Sequence, residues 1–189
     1  MIRNQWRSRL SGRAPEATLA SWLNEPGSLT ARCQRQCGEF RVRLLSFGVG
    51  RPLADEGLNL AVGRQPAWIR EVALECDGQP VIFAHTSLST VGRGRLGCWL
   101  ARLGSRSLGS LLFSLPTFRR GAIEFRRLDS RHPLFRRAAA LGATGKYLWA
   151  RRSLHRLGTQ QVLVTELFLP AIGQLKPPAI GQLKPPARP

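Results

Sequence analysis

Residues 67–88 read AWIREVALECDGQPVIFAHTSL, and this stretch decides the fold class. Two strand-like runs, 67–76 and 79–88, flank the dipeptide Asp77-Gly78, which is favoured in two-residue hairpin turns. Strands joined by such a turn pair in the antiparallel sense. The stretch therefore predicts an antiparallel sheet, and the rest of the chain has to supply its other strands.

Outward from this hairpin, the sequence predicts a mixture of helices and strands. Ser28 is placed to cap one of the helices, while residues 48–66, rich in glycine and proline, predict a long loop of the kind that often serves as a lid. Further strands are predicted at 40–47, 122–128, 147–157 and 162–169, and helices at 17–23, 29–37, 90–103 and from Ser107 onward. Strands paired through hairpins, with helices between them, indicate an α+β domain around a mainly antiparallel sheet.

Three parts of the chain differ in composition. Residues 1–14 are basic and are expected to be flexible, whereas 15–170 form a single domain large enough for a hydrophobic core. The tail, 171–189, contains AIGQLKPP twice. Two short, proline-rich copies cannot bury a face of their own, so this tail is expected to be disordered.

The chain is strongly basic, with 29 lysines and arginines against 11 acidic residues and a formal charge of +18. Such a charge suits nucleic acid, an anionic membrane surface or acidic substrates. The arginines, however, are scattered, and Trp68, Trp99 and Phe168 lie in apolar patterns typical of a core. No run approaches the roughly 18 apolar residues that a bilayer span requires. We therefore expect neither a nucleic-acid partner nor membrane insertion.

The cysteines and histidines do not predict a metal site. Cys33 and Cys37 are spaced unlike the common zinc pairs, and the three histidines of the chain, His85, His132 and His155, lie far apart in sequence. Reduced, mostly buried thiols in a cytoplasmic protein are the expectation for the four cysteines.

One acidic residue, Glu166, stands inside the apolar run VLVTELFLP at 162–170. In a strand, Glu166 shares its face with Val164 and Phe168, while leucines fill the other face. Burying an unpaired carboxylate costs roughly several kcal/mol, so something in the chain or its ligand has to compensate.

Arg70 is the first candidate to compensate Glu166. It lies on the same strand face as Trp68, Val72 and Leu74, whereas Glu71 and Glu75 occupy the opposite face, which is expected to be exposed to solvent. An arginine on an apolar face needs an anion, because it cannot shed its charge. Three alternatives stay open: an ion pair with Glu166, a guanidinium that reaches water, or a pocket in which both residues meet opposite ends of a ligand.

Two predicted helix starts add backbone donors to this picture. At Ser28-Leu29 and at Ser107-Leu108 the first amides of a helix lack partners within the helix, and anions are favoured there. Most helix starts bind only water, but beside a buried arginine such amides would complete a carboxylate site.

Taken in order, the motifs WIREVALECDGQPVIFAHTSL, SLGSLLF, LWARRS and VLVTELFLP resemble the chorismate lyase family. The resemblance covers roughly residues 17–170 and is clearest from 67 onward. It implies a six-stranded antiparallel sheet with helices on one side, enclosing a small buried site. The departures are Ser107, where the family commonly has proline, and a longer stretch over 129–147.

The resemblance also implies an activity and its residues. It implies cleavage of chorismate to 4-hydroxybenzoate and pyruvate, the first committed step of ubiquinone biosynthesis, by a cytoplasmic monomer without cofactor. Arg70 and Glu166 match the family's active-site arginine and glutamate, and Leu108 and Leu29 match positions that bind ligand through the main chain. Glu166 then either accepts a hydrogen bond from the ring hydroxyl or acts as general base. A non-catalytic sensor of aromatic acids with the same fold is the alternative.

Overall fold

The fold is built on one six-stranded antiparallel sheet with strand order β1-β2-β3-β6-β5-β4. The computed structural model describes residues 6–10, 14–60, 62–63, 65–89, 103–104, 106, 108, 118–157 and 160–175. The strands are β1 (Phe40–Gly50), β2 (Ala67–Cys76), β3 (Gln79–Ser89), β4 (Phe118–Asp129), β5 (Tyr147–Leu157) and β6 (Gln160–Phe168). Asp77 and Gly78 both have positive φ, as a two-residue hairpin turn requires. The predicted α+β class and the antiparallel sheet are confirmed.

Within the described residues, four α-helices and one short 3-10 helix accompany the sheet. They are α1 (Ala17–Leu23), α2 (Leu29–Gln36), α3 (Ala54–Asn59), α4 (Pro133–Ala139) and the 3-10 helix Pro170–Gln174. The hydroxyl of Ser28 accepts a hydrogen bond from the amide of Ala31, so the predicted cap of α2 is confirmed. The predicted helix over 90–103 and the start at Ser107 lie almost wholly outside the described residues.

The segment 48–66, predicted as one long loop, instead contains the end of β1 and the helix α3. The glycine content of this segment led to the wrong prediction of a loop, because one of its glycines is needed where two backbone segments pack closely together. A Cβ atom on Gly57, inside α3, would come within 2.0 Å of the carbonyl oxygen of Gly63. Glycine is required there by contact between backbones, and its presence says little about a loop.

Helices pack on both faces of the sheet, whereas the family resemblance implied helices on one side. α1 and α2 pack on the face that carries Val72, Ala84 and Phe168, where Trp22, Leu23, Leu29 and Cys33 join the main core cluster. α4 packs on the other face, against Phe83, Ala150 and Leu167. Both faces are therefore apolar over much of their area, as the leucines and valines of β6 already indicated.

Glu71 is buried beside α3 and α4, and Glu75 is buried beneath Arg41 and Arg43 of β1, so the prediction of a solvent-exposed face was wrong. Their charges are compensated by neighbours. Glu75 accepts hydrogen bonds from Arg41 and Arg43 of β1, and Glu71 from Ser46 and Arg137. The buried carboxylates thus join β1, β2 and α4.

A histidine lies at the centre of this second face. Nδ1 of His85 is 2.8 Å from Glu71, and its Nε2 is 3.3 Å from Oε2 of Glu56 in α3. Ser87 donates to the same Glu56 oxygen. Burial opposes the charged imidazole, but the hydrogen bonds and charges of Glu56 and Glu71 prevail and raise the pKa of His85 to about 9. His85 is therefore a buried cation held between two carboxylates.

The prediction of four reduced thiols was wrong for two of them. Cys37 and Cys76 form a disulfide, with 5.3 Å between their Cα atoms. The two residues meet because Cys37 follows α2 while Cys76 ends β2, next to the first residue of β1 in the sheet register. Cys33 is free and buried, and Cys98 lies outside the described residues.

The ends of the domain are more ordered than expected where they are described. Trp6 is buried, its indole donates to Asp55, and Arg7 forms an isolated β-bridge with Phe125. Ile172 of the 3-10 helix also packs into the core. The division of the chain at 14 and 170 stays a prediction. None of the helices in the described ranges has the length and apolar character to cross a bilayer.

The His85 cluster predicts a loss of stability on the alkaline side of neutrality. The pKa of His85 in the folded protein lies above its usual 6.5, so its contribution is complete below about pH 6.5 and is lost as the pH rises towards 9. Urea unfolding should therefore show a decrease of up to about 3 kcal/mol in the free energy of unfolding across this range. In H85Q this decrease should disappear.

The matched control for H85Q is H132Q, because burial lowers the pKa of His132 and its titration falls below this range. The groups that face His85 are Glu56 from α3, Glu71 from β2 and, through Glu71, Arg137 from α4. An equal alkaline decrease in wild type and H85Q would contradict the assignment of this effect to His85.

Candidate active site

A cavity lies between the first face of the sheet and the α1–α2 region. Together with its mouth, which is open to solvent, it contains about 620 Å³ of empty space. Its polar lining comes from three strand arginines, one glutamate, a histidine and several hydroxyls: Arg70, Arg120, Arg151, Glu166, His155, Ser28, Thr30, Thr86 and Ser153. Apolar side chains, among them Val72, Leu74 and Val164, fill the remaining wall. The four residues singled out from the sequence, Arg70, Glu166, Leu29 and Leu108, all line this one cavity.

The sheet register explains why Arg70 and Glu166 face the same cavity. Residues paired directly across antiparallel strands share a face. Arg70 pairs with Thr86 of β3, which pairs with Val164 of β6, and Glu166 lies two residues further along β6. Arg70 and Glu166 are thus on one face, separated by one strand.

Glu166 is paired with an arginine that the sequence analysis did not single out. Nε of Arg151, on the neighbouring strand β5, lies 2.7 Å from Oε2 of Glu166. Arg151 is 1% exposed, while the Glu166 side chain keeps 16% of its surface accessible at the cavity. Nη1 of Arg151 also donates to the carbonyls of Leu23 and Glu25, just before and after the end of α1. The ion pair thereby ties β5 and β6 to the helices above the cavity.

Arg70 does not form the ion pair with Glu166 that was one of the alternatives. Arg70 is only 2% exposed, and its Nη2 donates to the carbonyls of Gly104 and Arg106 at 2.8 and 2.9 Å. Within the described part of the chain, its buried Nε has no hydrogen-bond partner. Burial lowers the pKa of Arg70 to about 10, so the group remains charged at neutral pH. A buried guanidinium at a cavity wall without a carboxylate from the described residues is suited to an anionic ligand.

The two leucines border the cavity near the helices. Leu29 is the first residue of α2, and the amide of a first helical residue has no partner within its helix. The amide of Ala31, two residues further along, already donates a hydrogen bond to the hydroxyl of Ser28. Leu108 is buried at the cavity. Contact of either residue with a ligand through its main chain stays a prediction.

A second polar group, at the β4–β5 end of the cavity, was missed by the sequence analysis. Arg120 of β4 pairs with His155 of β5 across the sheet, and its Nε lies 3.2 Å from the hydroxyl of Ser153. That hydroxyl is 2.9 Å from Nε2 of His155. Burial, with Arg120 and Arg151 nearby, lowers the pKa of His155 to about 3, so the imidazole is neutral at physiological pH.

The arrangement can hold a small organic anion with a hydroxyl group at some distance from its carboxylate. Arg70 supplies a charged donor at one end, and Glu166 supplies an acceptor oxygen near the middle of the sheet. The cavity is largely apolar between them, which suits a ring. Such fixed charges in a partly closed space can orient a reactant and stabilise developing charge.

Comparison with known proteins relates the chain to one enzyme family. A family model described as chorismate lyase matches residues 3–175. A protein of Dechloromonas aromatica named probable chorismate pyruvate-lyase is 66% identical over 176 residues, which cover 93% of this chain and 100% of that protein. One of the same name from Methylobacillus flagellatus is 42% identical over 178 residues, covering 92% and 97%.

The chain is also similar to several solved structures. The ligand-binding domain of a putative GntR-family regulator from Bordetella bronchiseptica has a TM-score of 0.52 at 18% identity, covering 70% of this chain and 86% of that one. PhnF from Mycobacterium smegmatis has a TM-score of 0.52 at 21% identity, covering 76% and 64%. At these identities the likeness concerns the fold alone.

The buried ion pair predicts a specific pattern of stability in variants. R151M should lower the free energy of unfolding by about 3–5 kcal/mol, because it leaves Glu166 uncompensated beside an apolar wall. The double variant R151M/E166Q should recover part of this loss, because the unpaired charge is removed with the cation. Urea unfolding of both variants gives the comparison.

Arg136, exposed on α4, provides the matched control, and R136M should change the free energy of unfolding by less than about 0.5 kcal/mol. If R151M/E166Q were destabilised by the sum of its two single variants, Arg151 and Glu166 would not be coupled.

Proposed function

The chain belongs to the chorismate lyase family, and from this membership we propose that it is a carbon–oxygen lyase that converts chorismate to 4-hydroxybenzoate and pyruvate. The observation that carries the proposal is the buried Arg70, whose Nε has no partner among the described residues and which shares a cavity with Glu166. The carboxylate of chorismate supplies the anion that Arg70 needs. The 4-hydroxybenzoate formed is proposed to serve ubiquinone biosynthesis, in the cytoplasm.

The proposed reaction requires only a few functions from the protein. The ether bond between the ring and the enolpyruvyl group breaks, and the ring carbon that bears the hydroxyl loses its hydrogen. That hydrogen ends on the methyl group of pyruvate, so atoms balance without water or an external redox partner. Aromatisation of the ring supplies much of the driving force. The protein has to orient the reactant and stabilise the charge that develops on the departing oxygen.

Each site residue has a proposed role. Arg70 grips the ring carboxylate, together with the main-chain amides of Leu29 and Leu108. Glu166 accepts a hydrogen bond from the ring hydroxyl through its second oxygen, since Arg151 occupies Oε2. Arg151 acts as a positioning residue, because its bonds to Glu166 and to the carbonyls of Leu23 and Glu25 fix the carboxylate below the helices.

Two routes for the hydrogen are compatible with these roles. In one, Glu166 removes it as a general base. In the other, the methylene carbon of the enolpyruvyl group takes it directly, and Glu166 only holds the hydroxyl. The second route is the one we propose, because an oxygen that accepts the hydroxyl hydrogen bond is already engaged.

The alternative function is a non-catalytic domain that binds an aromatic acid. The ligand-binding domain of the putative GntR-family regulator and PhnF share the fold, but at under 25% identity they carry no argument about a ligand or an activity. A sensor would retain a carboxylate-binding arginine such as Arg70, but it would not turn the ligand over.

Incubation of the purified protein with chorismate, followed by ultraviolet detection of 4-hydroxybenzoate, tests the proposed function directly. Catalytic formation of product with stoichiometric pyruvate is expected in wild type, and R70Q should reduce kcat/KM by about 10²-fold or more because a charged contact is lost. The control R136Q should match wild type. Tight binding of chorismate without turnover would favour the sensor instead.

The role of Glu166 is tested by comparing E166Q with E166A. If Glu166 mainly holds the ring hydroxyl, E166Q should keep kcat within about tenfold of wild type, since one neutral hydrogen bond replaces a charged one. E166A, which loses the contact altogether, should be slower. A loss of 10²–10⁴-fold in both variants would instead indicate a general base.

A further inference from the structure

The β4–β5 end of the cavity contains an arginine for which the proposed reaction has so far no use. Arg120 lines the cavity together with Ser153 and His155, on the far side of Glu166 from Arg70. Among the described cavity residues, three arginines stand against one carboxylate. One of these arginines, Arg151, is paired with that carboxylate, and a second, Arg70, is assigned to the ring carboxylate.

A β-bulge directs Arg120 towards the cavity. The register of β4 against β5 shifts between Arg120 and Ile123, so that Arg120 pairs with His155 and Ile123 with Ser153. Without the extra residue, Arg120 and Ile123 would point to opposite faces of the sheet; with it, both lie on the cavity face. Bulges of this kind often re-aim a side chain next to an active site.

The order of the strands places Arg120 at the end where the enolpyruvyl group would lie. Crossing the sheet from Arg70 on β2, one meets β3, then Glu166 on β6, then β5, and last Arg120 on β4. In the strand order Glu166 lies between Arg70 and Arg120. Along the strands, Arg70 is level with Val164, and Glu166 and Arg120 lie to either side of that level, because Arg120 is in register with His155 and Val162. In chorismate the ether-bearing carbon is adjacent to the carbon that carries the hydroxyl. A ring held between Arg70 and Glu166 can therefore direct its side chain towards β5 and β4.

The surroundings of Arg120 fit an anion. Its Nη1 donates to the carbonyls of Pro26 and Gly27, and its Nε to Ser153. Burial and the neighbouring Arg151 lower its pKa, with Glu166 and Glu25 acting in the opposite sense. Burial keeps the imidazole of His155 neutral, so it adds no charge of its own beside Arg120.

We propose that Arg120 binds the carboxylate of the enolpyruvyl group, so that the site recognises its substrate as a dianion held at both ends. This inference rests on the proposed function. Arg120 does not react; it orients the ether side chain and stays with the carboxylate as the carbon–oxygen bond breaks. The product 4-hydroxybenzoate carries no second carboxylate and makes no such contact. Pyruvate is then released at the Arg120 end, below Pro26 and Gly27.

The test compares a dianionic ligand with a monoanionic one in the same variants. In R120Q, kcat/KM for chorismate should fall on the order of ten- to a hundredfold, because a charged hydrogen bond is lost. The dissociation constant for 4-hydroxybenzoate, measured by isothermal titration calorimetry, should change by less than about twofold. R70Q should weaken both, and R119Q, which removes an exposed arginine beside it, should change neither.

Equal losses in kcat/KM for chorismate and in affinity for 4-hydroxybenzoate would overturn the proposal. If R120Q weakened binding of 4-hydroxybenzoate as much as it lowered kcat/KM, Arg120 would act only by holding the turn at Pro26 and Gly27. If R120Q does not fold, R120K can replace it, because lysine keeps the positive charge on a side chain of different length. We expect R120K to lower kcat/KM for chorismate more than it weakens binding of 4-hydroxybenzoate. Wild type that did not convert chorismate would refute the proposed function instead, which is a separate outcome.

Discussion

The ion pair between Arg151 and Glu166 is the interaction on which the site depends. It joins the two strands at the centre of the cavity floor, and the same guanidinium holds the backbone on both sides of the end of α1. A carboxylate in an apolar strand is costly alone, but the neighbouring arginine compensates it and leaves one of its oxygens at the cavity. The pair thus allows a polar acceptor to exist in a largely apolar, covered site.

The buried arginines Arg70, Arg151 and Arg152 differ in the groups that their guanidinium ions bind. Arg152, on the second face of the sheet, is bound by Glu124 and Asp55 and stacks on Trp6, so its role is structural. Arg151 is bound by Glu166 and positions it. Arg70 donates to two carbonyls and keeps a buried donor without a partner among the described residues. This difference in partners separates Arg151 and Arg152, which bind carboxylates of the protein, from Arg70, which is proposed to bind the ring carboxylate of the substrate.

The sequence predicted the sheet, its hairpin and the apolar strand faces that carry Arg70 and Glu166, but not the partners of these two side chains. Alternation placed Arg70 and Glu166 on apolar faces correctly, because period-two patterns depend only on local geometry. Alternation could not identify Arg151, since both faces of β5 carry an arginine and only the register with β6 tells which one meets Glu166. Register depends on contacts distant in sequence. The bulge that re-aims Arg120 is invisible to a period-two pattern for the same reason.

The second face shows the limit of composition-based reasoning. Glu71 and Glu75 looked like surface residues, yet both are buried: α3 and α4 contribute partners around Glu71 and His85, and arginines of β1 bind Glu75. The charged residues of this strand therefore belong to a polar network inside the protein and do not mark a solvent-exposed face. Such networks are stable because each charge has a partner, and those partners come from β1, α3 and α4.

We propose that one cavity holds an aromatic product between Arg70 at one end and Glu166 at the other. A crystal structure with 4-hydroxybenzoate bound would show whether it does. We expect the product carboxylate within hydrogen-bond distance of the Arg70 guanidinium, including its Nε, and the phenol oxygen at the Glu166 carboxylate. A product molecule bound in the reverse orientation, or outside this cavity, would refute these roles of Arg70 and Glu166.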